Sequence, residues 1–73
     1  MATEVRAPLV GKVIRLLVDP GDEIETEEPI LMMEALKMEI PVVSSVDGTV
    51  KEFLVTEGQD VEADALLAIV DEK

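Results

Sequence analysis

Glu27-Glu-Pro-Ile-Leu-Met-Met-Glu-Ala-Leu-Lys-Met-Glu39 can be read in two ways, and the choice decides the fold. Its strong helix formers suit an α-helix, which Pro29 and Pro41 would confine to about three turns. Alternatively, the segment is two strands joined by a tight turn. The rest of the chain arbitrates, because the sequence repeats itself at an offset of 37 residues. Gly11-Lys-Val13 falls on Gly48-Thr-Val50, Leu16-Leu-Val18 on Phe53-Leu-Val55, and Gly21-Asp-Glu-Ile-Glu25 on Gly58-Gln-Asp-Val-Glu62. Ile30-Leu-Met-Met-Glu34 then falls on Leu67-Ala-Ile-Val-Asp71, whose valine and isoleucine belong in a strand. The repeat therefore reads the segment as strand–turn–strand.

Val5 also falls on Val42, and most non-identical pairs keep apolar or acidic character. Two copies are too few for a solenoid, so the halves 1–37 and 38–73 are expected to interlock in one barrel or sandwich, a single domain. The β-rich runs Val13–Val18 and Val50–Val55 end at Asp19–Asp22 and Thr56–Gln59, where glycine supplies a positive φ. Gly11 and Gly48, in the same register, mark a turn or a close approach of backbones. Ile24 and Val61 follow the turns with acidic neighbours on a wet face, and Pro29 and Leu66 open the apolar runs Ile30–Met33 and Leu67–Val70.

The most symmetric hairpin puts Leu36-Lys37 at its tip. Ala35 then faces Met38, Glu34 faces Glu39, Met33 faces Ile40, and Leu31 faces Val42. Leu-Lys is poor chemistry for a two-residue turn, where Asn-Gly or Asp-Gly is expected. The pair Glu34 and Glu39 sets like charges opposite each other, which is mildly destabilising. Local rules broken together at one tip point to function rather than stability. Met38 maps onto Met1 and Leu36 onto Lys73, so the chain ends occupy the pseudo-equivalent of the tip. Lys37, the middle residue of 73, is thus expected at one pole and both termini at the other. The plain alternative is an ordinary surface lysine in a turn.

Composition removes most catalytic chemistries. With no cysteine there is no disulfide, thiolate nucleophile or Cys-based zinc site, and with no histidine no triad, Cys–His dyad or HExxH site within the chain. Seventeen acidic residues against six basic ones give a net charge of −11, and Phe53 is the one aromatic, so no nucleic-acid partner is expected. Asp22-Glu23-Ile24-Glu25 and Asp60-Val61-Glu62 lack calcium-loop spacing and read as wet strand edges. The N-terminus carries Glu4 and no long apolar run, and no stretch approaches 18 apolar residues. No membrane insertion is expected, and a cytoplasmic location fits best.

Met33-Glu-Ala-Leu-Lys-Met-Glu39 resembles the attachment sequence Glu-Ala-Met-Lys-Met of biotinyl domains in biotin-dependent carboxylases and decarboxylases. Ala7-Pro8 followed by Gly11-Lys12-Val13 resembles the opening Ala-Pro-Met-x-Gly-x-Val of that family, and Pro20-Gly21-Asp22 and Glu57-Gly58-Gln59 resemble its two Gly-Asp turns. The resemblance implies an all-β flattened barrel, a barrel-sandwich hybrid of two pseudo-two-fold-related four-stranded sheets with the attachment lysine on a tight hairpin. It implies that Lys37 carries covalent biotin through an amide on its ε-nitrogen. Glu34, Ala35, Leu36 and Met38 match the positions that a biotin protein ligase reads. The implied partners are that ligase, a biotin carboxylase, and a carboxyltransferase acting on an acyl-CoA or 2-oxoacid. The chain itself is then a non-catalytic carrier.

Leu36 departs from the methionine usual before the lysine, and Leu9-Val10 from the usual Met-Pro or similar. Leucine keeps the bulk of methionine but loses its flexibility, which implies slower or more ligase-selective modification. Two alternatives stay open: a lipoyl carrier of a 2-oxoacid dehydrogenase or glycine cleavage system, and an unmodified adaptor module. The lipoyl branch usually reads Asp-Lys-Ala at the tip, so Met38 after the lysine favours biotin. The start at Met1 and the repeat ending near Lys73 suit a free-standing carrier as well as a domain cut from a longer chain.

Overall fold

Residues 1–73 are described by a computed structural model, and the ambiguous segment is a hairpin in it. Eight strands follow one another: Ala2–Arg6 (β1), Gly11–Leu16 (β2), Glu23–Ile24 (β3), Pro29–Ala35 (β4), Met38–Val43 (β5), Gly48–Phe53 (β6), Asp60–Val61 (β7) and Leu66–Glu72 (β8). They form two four-stranded antiparallel sheets, ordered β1-β8-β6-β3 and β5-β4-β2-β7. Each sheet takes two strands from each half of the chain, so neither half can complete a sheet alone. The body measures 34 × 17 × 16 Å.

The two-fold relation reaches individual hydrogen bonds. Sixteen backbone hydrogen bonds lie outside the strand ladders, and all but two have a counterpart shifted by 37 residues. The Gly21 amide donates to Val50 O as the Gly58 amide does to Val13 O, and Glu27 donates to Ser44 O as Asp64 does to Ala7 O. The two exceptions are Glu72 to Met1 O and Lys73 to Asp47 O, both where the chain ends meet. Non-glycine residues with positive φ recur as well, at Glu27 (68°) and Asp64 (70°). Bulges repeat too, between Val13 and Arg15 in β2 and between Val50 and Glu52 in β6.

Between the sheets lies a core of 14 buried residues, with Val13, Ile30, Leu31, Met33, Val50, Leu67 and Val70 fully enclosed. Burying each such side chain is worth about 1.5–3 kcal/mol, and this offsets the ordering of a chain with no crosslink. Both inner faces alternate with exposed polar positions, as a half-buried sheet requires.

The expected all-β barrel-sandwich of two four-stranded sheets is the observed fold, and the expected hairpin register is observed at all four pairs. Strand ends differ from expectation. β2 and β6 begin at Gly11 and Gly48 and stop at Leu16 and Phe53, two residues short of Val18 and Val55. The reason is tertiary: after Leu16 the chain leaves one sheet for the other, where Gly21 N and Asp22 O bind Val50 of β6. At Asp19–Asp22 the turn is closed by Asp22 N to Asp19 O (3.0 Å) and by Asp19 N to Asp22 Oδ2 (2.8 Å), with Gly21 at φ 96°.

Candidate functional site

The hairpin tip is built by β4 and β5, whose pairing continues to Ala35↔Met38 and leaves two residues for the turn. A two-residue connection matches the strands' twist only if both residues adopt positive φ. Leu36 (φ 53°) and Lys37 (φ 64°) do so, though neither is glycine, asparagine or aspartate. Left-handed backbone costs about 1–2 kcal/mol for each such residue. Core packing directly below holds the strain in place: Ala35 and Met33 are buried and their strand neighbours fix the register. At this turn Lys37 is exposed, its amine at the end of a flexible four-carbon stem. Neither of the two ion pairs, Arg6–Glu4 and Lys73–Glu23, involves it. Flanking it, Leu36 is 84% and Met38 64% exposed, although both are large and apolar.

Glu34, Ala35, Leu36, Lys37 and Met38 are therefore together at one pole, but not in one role. Ala35 faces the interior, where it supports the turn, and Glu34, Leu36 and Met38 are exposed. Glu34 and Glu39 do stand opposite each other. The next strand moderates that repulsion: Lys12 of β2 is opposite Glu34 and also opposite Asp60 of β7. The outer face thus carries a transverse row, Asp60–Lys12–Glu34–Glu39. A cation beside two acids lowers the cost of their juxtaposition.

Sequence reasoning missed the neighbours that tertiary structure adds. A groove of about 490 Å³ beside Lys37 is walled by Val10 and Lys12, by Glu34 and Leu36, and by Asp60 and Glu62. One signal could have found them: Val10 and Lys12 are places where the two halves of the repeat disagree, being matched by Asp47 and Thr49. The opposite pole is tied by side-chain bonds that this one lacks. There the Asp47 carboxylate accepts the Thr26 amide (2.7 Å) and hydroxyl (3.0 Å). Those bonds, the amide's first, hold its carboxyl below the ordinary value of 3.8, with help from the charge of Lys73.

Comparison with known proteins settles what kind of domain presents this lysine. Residues 3–70 match the profile of the biotin–lipoyl family, described as "Biotin-requiring enzyme". The chain belongs to that family. A biotin–lipoyl relative from Mycobacterium leprae, "Biotinylated protein TB7.3 homolog", is 37% identical over 96% of this chain and 99% of its own length. The "Biotin carboxyl carrier protein" of Streptococcus mutans is 38% identical over 93% of this chain, which spans only 53% of that protein. Among solved structures, the urea carboxylase of Kluyveromyces lactis matches with a TM-score of 0.93 and 27% identity. The match covers 97% of this chain and 6% of the carboxylase. Both the fold and the biotin family expected from the sequence are thereby established. No helix is long and apolar enough to cross a membrane.

Proposed function

We propose that Lys37 Nζ is acylated with biotin and that residues 1–73 form a single biotin carboxyl carrier domain. The observation that carries this reading is the tip itself: a strained Leu36-Lys37 turn that offers an unpaired amine between exposed apolar side chains. The donor fits the group, since a lone primary amine is what amide formation with a carboxylic acid requires. Biotin, when bound, supplies a ureido nitrogen that accepts and releases a carboxyl group, so the protein itself needs no catalytic side chain.

The chain's own residues present that group. β4 and β5 fix the direction of the stem, Ala35 seals its base, and the exposed Glu34, Leu36 and Met38 form the surface that a biotin protein ligase reads. Acylation removes one positive charge and takes the formal net charge from −11 to −12, which favours basic docking patches and keeps carriers apart. Tethering confines the cofactor near two active sites, those of a biotin carboxylase and of a carboxyltransferase acting on an acyl-CoA or 2-oxoacid. A cytoplasmic location places the carrier with these enzymes.

Co-expression with a biotin protein ligase, followed by intact mass and avidin capture, tests the reading. Wild type gains one biotin, and Lys37→Arg gains none while keeping its unfolding temperature. A chain that instead takes lipoate from a lipoate ligase is a lipoyl carrier, and one that takes neither is not a carrier.

A further inference from the structure

The two flanks of the molecule share one pattern of strand pairing and differ in their side chains. Across one sheet, Pro41 of β5 stands opposite Met32 of β4, which stands opposite Arg15 of β2. An offset of 37 turns that rung into Glu4–Ile69–Glu52 of the other sheet, where the same pairings recur. Val43 and Ile14, which adjoin the first rung, are matched by Arg6 and Lys51. The second flank is thus a mixed-charge surface, with Glu4 and Arg6 joined at 2.7 Å. The first sets apolar residues around Arg15, which takes part in neither ion pair of the molecule.

Folding does not require this difference. Glu4, Arg6 and Lys51 hold charge at the equivalent places, so the scaffold has no need of Pro41, Val43 and Ile14 there. All five residues of the first flank lie outside the buried core. Pro41, Arg15 and Val43 are exposed, and Ile14 and Met32 are half-buried. Clustered apolar side chains facing solvent mark a contact surface. The edge beside them is closed to another mode of contact, because β5 is an edge strand and Pro41 has no N–H to offer an added strand. A partner at this flank covers side chains rather than extending the sheet.

We propose that this flank docks the biotin carboxylase, whose contact surface is apolar with a carboxylate set against Arg15. The proposal rests on the reading of the chain as a biotin carrier. Charge on the tethered group selects this enzyme. The ureido ring is neutral until it is carboxylated, so the first enzyme finds no charge on the arm to hold. Its grip comes from the carrier's body, whereas the carboxyltransferase receives an arm that bears a carboxylate. Position agrees, since the Pro41–Met32 pair lies three rungs, about 10 Å, below the last pair of the hairpin, Ala35–Met38. An enzyme seated there leaves Lys37 free to reach its active site. Size agrees as well: one flank of a body 34 × 17 × 16 Å offers roughly 550 Å², which suits a transient contact. A second copy is a poor occupant, because each chain carries a net charge of −11.

The Lys37→Arg chain, which carries no biotin, separates docking from chemistry. With purified biotin carboxylase, ATP and bicarbonate, it is expected to inhibit carboxylation of the biotinylated wild type competitively. Adding Ile14→Lys or Arg15→Glu to it is expected to weaken that inhibition about tenfold. Ile69→Lys makes the same charge change as Ile14→Lys on the other flank and is expected to leave inhibition unchanged. In the biotinylated chain, Ile14→Lys is expected to raise the KM for the carrier while kcat and the rate of biotinylation stay nearly as in wild type. All variants are expected to melt within a few degrees of their parent, since the twin of Ile14 is already a lysine. No inhibition by Lys37→Arg, or equal losses from Ile14→Lys and Ile69→Lys, overturns the dock while leaving Lys37 as the attachment site. So does slower biotinylation of Ile14→Lys, or a wild-type dimer in sedimentation that Ile14→Lys dissolves. A wild-type chain that takes no biotin overturns the carrier reading and the dock together.

Discussion

Leu36 and Lys37 show how far a residue can be held from its preferred conformation when its neighbours dictate otherwise. Both occupy left-handed backbone because the β4–β5 register leaves two residues to reverse the chain. Lys37 is also the one residue without a partner in the repeat, since its counterpart would fall between Lys73 and Met1. Asparagine tolerates positive φ far better than leucine. Leu36→Asn is therefore expected to stabilise the domain by about 1 kcal/mol, read as a higher urea midpoint at unchanged slope. The same change removes an exposed apolar side chain from the lysine's flank and is expected to slow biotinylation. A destabilised Leu36→Asn would show that the turn is not strained.

At the scale of elements, β2 and β6 open on glycines where each runs closest beside its sheet neighbour, β4 and β8 respectively. A methyl group at Gly11 would meet Glu34 O at 2.5 Å, and one at Gly48 would strike the Asp71 carbonyl. These are backbone atoms, which cannot rotate aside as a side chain can. The sequence marked the two glycines through their common register, and the close approach is what requires them. Gly48→Ala is expected to cost about 1–3 kcal/mol, measured by thermal or urea unfolding, without touching the lysine pole. A Gly48→Ala protein as stable as wild type would mean that the β6–β8 approach has slack. Other features of the elements were not legible. The bulges in β2 and β6 and the early strand ends arise where the chain passes between sheets, and no residue type announces that passage.

For the whole molecule, the pseudo-two-fold axis makes the chain ends and the hairpin tip equivalent. Glu72 N already donates to Met1 O, as strands paired through a hairpin would. A single glycine between Lys73 and Met1 would complete a second two-residue turn, matching Leu36-Lys37. A circular permutant so joined, and opened between Lys37 and Met38, is expected to unfold in one cooperative transition within about 2 kcal/mol of wild type. Its far-ultraviolet circular dichroism should match that of the parent. A permutant without a cooperative transition would show that the two poles are not interchangeable. The duplication also explains how one fold serves two ends: the pole carrying Asp47 and Lys73 is linked by side-chain bonds, and the pole carrying Val10 and Leu36 presents exposed apolar side chains instead.

Sequence by itself determined the repeat, the hairpin register, the turn glycines and Lys37 at the tip. These rest on alternation, turn chemistry and spacing, which short stretches of chain express without help. Only the tertiary structure decided that β8 lies between β1 and β6 and that β2 lies between β4 and β7. That pairing carries Val10, Lys12, Asp60 and Glu62 to the lysine from distant parts of the chain. Its cause is cooperative: each half presents an apolar face that water disfavours, and only the other half's strands can cover it while satisfying the backbone hydrogen bonds. Such an energy belongs to pairs of residues far apart in the chain, so no local pattern records it.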